Sequence, residues 1–85
     1  MLNPGMKVEG YEVLIVHLCI DDNTLGTYLA RHMESGIFLV GFISADLSDS
    51  WAIQQGTEYA SYVHANDHFH KIVDEEAFLY ESDSI

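Results

Sequence analysis

Two stretches of this chain, VLIVHLCI at residues 13–20 and IFLVGFIS at 37–44, are apolar at nearly every position. Neither shows the alternation of a strand with one wet face; each suits a strand buried on both sides. A fold must therefore cover four strand faces, and the chain has only 85 residues to do it. A chain of that length makes one domain and buries roughly 60–65% of the surface it exposes unfolded. It has room for one modest core, and not for a core plus a deep, fully walled substrate cavity. The fold class that follows is α+β: a small single sheet containing strands near 8–20 and 37–44, with helices packed on it.

The segments around the two runs supply the helices. Asp21, Asp22 or Asn23 offers N-cap chemistry. In TLGTYLARHMESG, Leu25, Tyr28, Leu29, His32 and Met33 fall at helical spacing, and Gly36 sits where a helix C-cap belongs. A helix is expected near 23–35. Strand, helix and strand then make either a right-handed crossover or an antiparallel pair with the helix across one face. Ser48, Asp49 or Ser50 would cap a second helix near 50–64, thin in apolar positions (Trp51, Tyr59, Tyr62, Val63) and weakened by Gly56. Asn66–Asp67 reads as a break. Beyond it Phe69, Ile72, Val73, Ala77 and Tyr80 form a helical stripe over 66–80. The rival reading of that segment is a hairpin of HFHKIV and AFLYES. Residues 1–6 read as a loose tail, 7–81 as the domain and 82–85 as a frayed end.

Charge is the unusual quantity. Lys7, Arg31 and Lys71 face fourteen carboxylates, a formal net charge of −11. Residues 1–45 hold five acids and two bases, or −3; residues 46–85 hold nine acids and one base, or −8. Such a chain repels nucleic acid and anionic membrane, so direct binding to either is not expected. A basic protein surface is the partner its charge fits. Acids three or four apart on a helix stand about 5–6 Å from one another, against a phosphate spacing of about 3.4 Å per strand, so carboxylates spread over two packed elements could imitate a duplex edge.

Catalytic signatures are missing. The sequence has no GxSxG, no P-loop, no glycine-rich dinucleotide turn and no HExxH. Cys19 is the only cysteine and lies in an apolar run, as expected of a buried thiol in a reducing compartment. No secretory signal and no apolar run of membrane-helix length is present, so a cytoplasmic location is expected. No cofactor is implied.

The sequence thus favours a small acidic, non-enzymatic binding protein. Its most specific form is a nucleic-acid mimic that inhibits a basic nucleic-acid-handling protein, of the kind phages and mobile elements encode against host defence. Asp46, Asp49, Glu58, Asp67, Asp74, Glu75, Glu76 and Glu81 are the candidate contact carriers, with Tyr59, Tyr62 and Tyr80 as aromatic anchors. Two alternatives stand beside it. His64, His68 and His70, among acids in VHANDHFHKIVDEE, could form a metal-binding module, since His64 and His68 are four apart. The all-apolar IFLVGFIS could instead drive homodimerisation, by needing a second copy to cover it.

Overall fold

The computed structural model describes the backbone of residues 2–19 and 24–83, with side chains through Glu75. The fold is α+β: five antiparallel strands, β1 (Lys7–Val8), β2 (Tyr11–Leu18), β3 (Leu25–His32), β4 (Phe38–Ala45) and β5 (Trp51–Tyr59), followed by one helix, α1 (Tyr62–Asp83). The strands are ordered as they occur in the sequence, a simple meander. Extra residues at Leu14 in β2 and Gln54 in β5 break the register between Val13 and Ile15 and opposite Phe42 and Ile43. Such bulges bend a strand and increase its twist, and the sheet curls into a half-barrel. The curl brings Glu9 to the free edge of β5, where its Oε2 accepts the Ile53 N–H at 2.7 Å.

Each face of the sheet carries a buried core, built by different means. On the concave face Val13, Tyr28, Ala30, Leu39 and Ile43 pack with Val8 and Leu2. On the other face α1 lays Ala65 and Phe69 against Leu29 and Val40, flanked by Leu14, Ile15, Phe38, Tyr59, Ile72 and Val73. The Leu14 bulge lets two successive residues, Leu14 and Ile15, serve the helix side.

The two apolar runs are β2 and β4, as expected. The helix expected near 23–35 is instead the central strand β3, running antiparallel to both neighbours, so there is no crossover. It is sandwiched by sheet neighbours, by the concave core and by α1, so Gly26 through Ala30 are all buried. Burial on both faces erases the period-2 signal and leaves a chance helical spacing. Gly36 does adopt a left-handed backbone, φ 76°, but in the β3–β4 turn. There the Gly36 N–H donates to the His32 carbonyl at 3.0 Å, and His32 Nδ1 accepts the Glu34 and Ser35 N–H groups. Left-handed glycines end helices and close hairpins alike.

The helix expected near 50–64 is likewise a strand, β5, over most of its length. The polar residues read as its cap close the β4–β5 turn. Asp46 Oδ1 accepts from Ser48 N at 2.9 Å, Ser48 Oγ at 2.7 Å and Ser50 N at 3.1 Å. Asn66–Asp67 does not break the chain: one helix spans Tyr62–Asp83. The hairpin reading of 66–80 is therefore overturned. Residues 2–6 are also tied in, since Leu2 is 2% exposed and the Gly5 N–H donates to the Val13 carbonyl at 2.7 Å. The helical backbone continues through Asp83; residues 84–85, and the caps read at 21–23, lie outside the described residues. No helix among the described residues is long and apolar enough to cross a membrane.

The Asp46 turn yields a pH test. Hydrogen bonds from Ser48, then from the backbone N–H groups of Ser50 and Ser48, hold its carboxyl below the usual carboxylate value of 3.8. A lowered folded pKa stabilises above the unfolded value and loses that contribution as pH falls through the folded one. Asp46→Ala is expected to melt below wild type at neutral pH. The gap in melting temperature should narrow as pH falls below 3.8 toward the depressed value, leaving only what the neutral carboxyl's hydrogen bonds contribute. A gap that does not change with pH would show that the charge contributes nothing to the turn.

Candidate functional site

The helix covers only part of its side of the sheet. In register order along β3 and β4, the helix-side pairs are Leu29 with Val40, Thr27 with Phe42 and Leu25 with Ser44. Helix α1 packs on the first of these. The next two pairs lie about 7 and 13 Å further along the strands, beyond the residues on which the helix packs. Phe42 is 44% exposed and Leu25 47%. A cavity of about 300 Å³ lies there, bordered among the described residues by Cys19, Leu25, Thr27, Phe42, Ser44 and Gln54.

Thr27 is the unusual member. Its residue is 1% exposed, and its Oγ1 has no hydrogen-bond partner among the described residues. An unsatisfied buried hydroxyl costs roughly 1–3 kcal/mol. Nothing in the sequence singles out Thr27, because its position on the helix side follows only from the strand register.

The residues expected to carry contacts fall into separate groups. Asp46 and Asp49 belong to the β4–β5 turn, where Asp46 is engaged as above and Asp49 Oδ1 accepts from Trp51 Nε1 at 3.1 Å. The length of β5, nine residues or about 30 Å, separates them from Tyr59 and Tyr62. Glu58 and Tyr59 are successive on β5 and so face opposite sides, Glu58 beside Leu39 and Tyr59 beside Phe38. Tyr59 is half-buried, its hydroxyl 2.8 Å from His68 Nδ1. Tyr62 opens the helix with its ring edge-on to Phe38 at 5.6 Å. Asp67, Asp74 and Glu75 are exposed on α1. Glu76, Tyr80 and Glu81 share the helical backbone, but their side chains lie outside the described residues.

The outer ridge of α1 is mixed in charge. Helical spacing sets His64, Asp67, Lys71 and Asp74 on one exposed line, opposite Ala65, Phe69, Ile72 and Val73. The three histidines do not converge. His68 turns toward Tyr59, His64 points outward, and His70 stands about 200° around the helix from His68. No group of three metal-ligating side chains able to hold an ion occurs among the described residues. The motive for a dimer is also reduced, since Leu39, Val40 and Ile43 are all buried within one chain, leaving Phe42 as the exposed large residue of β4. Compared with known protein families, curated proteins and solved structures, the chain matches none.

Proposed function

We propose that this chain is a small non-enzymatic binding protein that docks its acidic C-terminal helix onto a basic surface of another protein. The observation that carries this reading is where the acids stand on α1. Residues 62–83 hold six acids and one base, Lys71, and five of those acids lie between 74 and 83. The last turn has no basic residue. A helix C-terminus carries a partial negative charge, so carboxylates there oppose the macrodipole and cost stability. The dipole does not favour them in that position, whereas a cationic partner would be attracted to both the side chains and the dipole. Glu58, Asp67, Asp74 and Glu75 also make no hydrogen bond or ion pair among the described residues, so their charge is available. The partner class that fits best is a protein whose own ligand is a nucleic acid, with the helix occupying that ligand's channel.

The test is competition. The full-length protein, immobilised, is expected to retain basic proteins from a host extract at low salt and to release them as salt rises toward about 0.5 M, where the Debye length is only a few ångströms. Duplex DNA should displace the same proteins. A variant carrying Glu75→Gln, Glu76→Gln, Glu81→Gln and Asp83→Asn should lose them while melting no lower than wild type, because neutralising those groups relieves the clash with the dipole. Retention that withstands high salt, or that survives the four substitutions, would remove the acidic helix as the docking element.

A further inference from the structure

The last strand of the sheet offers a docking element of a different kind, independent of the acidic helix. We propose that the free edge of β5 at Gly56 and Glu58 takes up an extended segment of another protein as an added antiparallel strand, with a lysine or arginine of that segment set beside Glu58.

The open stretch can be placed residue by residue. β5 pairs with β4 on one side and, among the described residues, with no strand on the other. The Ala45 N–H donates to the Thr24 carbonyl, so Ala45 turns toward the β3 side of β4. Hydrogen-bonding direction alternates along an antiparallel strand. Phe42 and Val40 therefore turn toward β5, and their register partners Gln55 and Thr57 turn toward them. Gly56 and Glu58 are left with N–H and C=O pointing outward, about 7 Å apart. The Ile53 N–H also points outward but is already taken by Glu9 Oε2, so Glu9 ends the open stretch on that side. Edge strands are ordinarily blunted by a lysine, a proline or a covering loop. Residues 55–58 contain neither lysine nor proline, and all four are exposed.

The chemistry of the occupant follows from the edge and its charge. Outward backbone groups are matched by the backbone of any extended chain, and the side chains then select among sequences. Antiparallel addition continues the pattern of every pairing in the sheet and is slightly more stable per residue than parallel. Glu58 stands beside Leu39 on the concave side. The residue opposite it on an added strand lies about 5 Å away on the same side, where a cation is favoured and a carboxylate disfavoured. The net charge of −11 acts in the same direction over longer range. It also disfavours a second copy of this chain, which brings the same charge to the edge.

A synthetic peptide of about seven residues alternating lysine and threonine, blocked at both ends, is the probe. Its control is the same peptide N-methylated at the lysines, which keeps the charge and removes the donors that face β5 when a lysine stands opposite Glu58. With the full-length protein, the first peptide at millimolar concentration is expected to move the amide resonances of Gly56 and Glu58 and to slow their hydrogen exchange. The methylated peptide should bind about tenfold more weakly, having lost backbone hydrogen bonds to the edge. Glu58→Gln, at an exposed position, should melt with wild type and bind the lysine peptide roughly threefold more weakly. The variant with four neutralised acids on α1 should still show the shifts at Gly56 and Glu58, which separates this edge from the helix. The proposal is overturned if neither peptide moves those two resonances, if the methylated peptide binds as tightly, or if Glu58→Gln changes nothing. It is also overturned if both amides are protected without peptide and lose that protection on dilution, because a second copy then holds the edge.

Discussion

Gly41→Ala is expected to destabilise the protein by at least about 3 kcal/mol, at the severe end for one added methyl group. For a domain of this size that lowers the melting temperature by roughly 12 °C or more. Register places Tyr28, Gly41 and Gly56 in one row across β3, β4 and β5 on the concave face. The Tyr28 hydroxyl reaches past β4 to donate to the Gln55 carbonyl at 3.1 Å. Burial, ahead of the nearby Tyr11 and Glu9, pushes that hydroxyl above its ordinary tyrosine range, so it stays a protonated donor. The two glycines make this possible by leaving the row bare.

A Cβ at Gly41 would collide with the Gln55 carbonyl itself, and the Gly56 Cα would lie only 2.9 Å away. Backbone on a neighbouring strand cannot step aside without breaking the β4–β5 ladder. Gly56 is the control. A Cβ there would meet Leu39 Cγ and Cδ1 at 2.6 and 2.7 Å and Tyr28 Oη at 2.8 Å. Those are side-chain atoms that can shift, so Gly56→Ala should cost less, about 1–3 kcal/mol. Thermal or urea melts decide the matter. Equal effects at the two glycines would mean that the close approach of β4 and β5 does not depend on Gly41.

Phe69→Ala is expected to cost about 3–5 kcal/mol, the usual range for emptying a buried phenylalanine site. A domain of 85 residues has roughly 4–13 kcal/mol of stability in total, so the loss is comparable with the whole. Phe69 is 3% exposed and packs with Ala65 against Leu29 and Val40. That contact is the centre of the helix–sheet interface. The helix has little independent support, with no acidic residue in its first turn, no basic residue in its last and several carboxylates opposing its dipole. An undocked helix of this kind is marginal in water. Loss of the Phe69 ring should therefore remove the cooperative melting transition and much of the helical circular dichroism together. A variant melting within about 1 kcal/mol of wild type would mean that α1 is held to the sheet by something other than this side chain.

Particular residues show how far the sequence could be read. The apolar runs marked β2 and β4 because no other use of two eight-residue stretches, apolar at nearly every position, fits a chain this small. The stripe of Phe69, Ile72 and Val73 marked the helix, since packing on a single sheet face preserves the 3.6-residue period. The segment Leu25–His32 failed in the opposite way. A central strand covered on both sides has no alternation, and its Leu25, Tyr28, Leu29 and His32 matched helical spacing by coincidence. At the turns the residue chemistry was recognised but assigned to the wrong element. Gly36, Ser48 and Ser50 do close backbone, though in hairpins, the two serines by donating to Asp46, because a polar turn residue or a left-handed glycine suits either geometry.

The same division holds for function. The sequence by itself determined the charge of −11 and its concentration after residue 45, because charge is a sum over residues whatever their arrangement. The class, α+β, followed from the two apolar runs together with the helical stripe of Phe69, Ile72 and Val73, although the helices expected near 23–35 and 50–64 are strands. Only the tertiary structure decided that Asp46 and Asp49 stand a strand's length from Tyr59, that His68 is turned to Tyr59, and that Thr27 lies unsatisfied beneath an open cavity. Each of these depends on strand register and on where the helix stops covering the sheet. Register is set by pairings between residues distant in the chain, which no local pattern encodes.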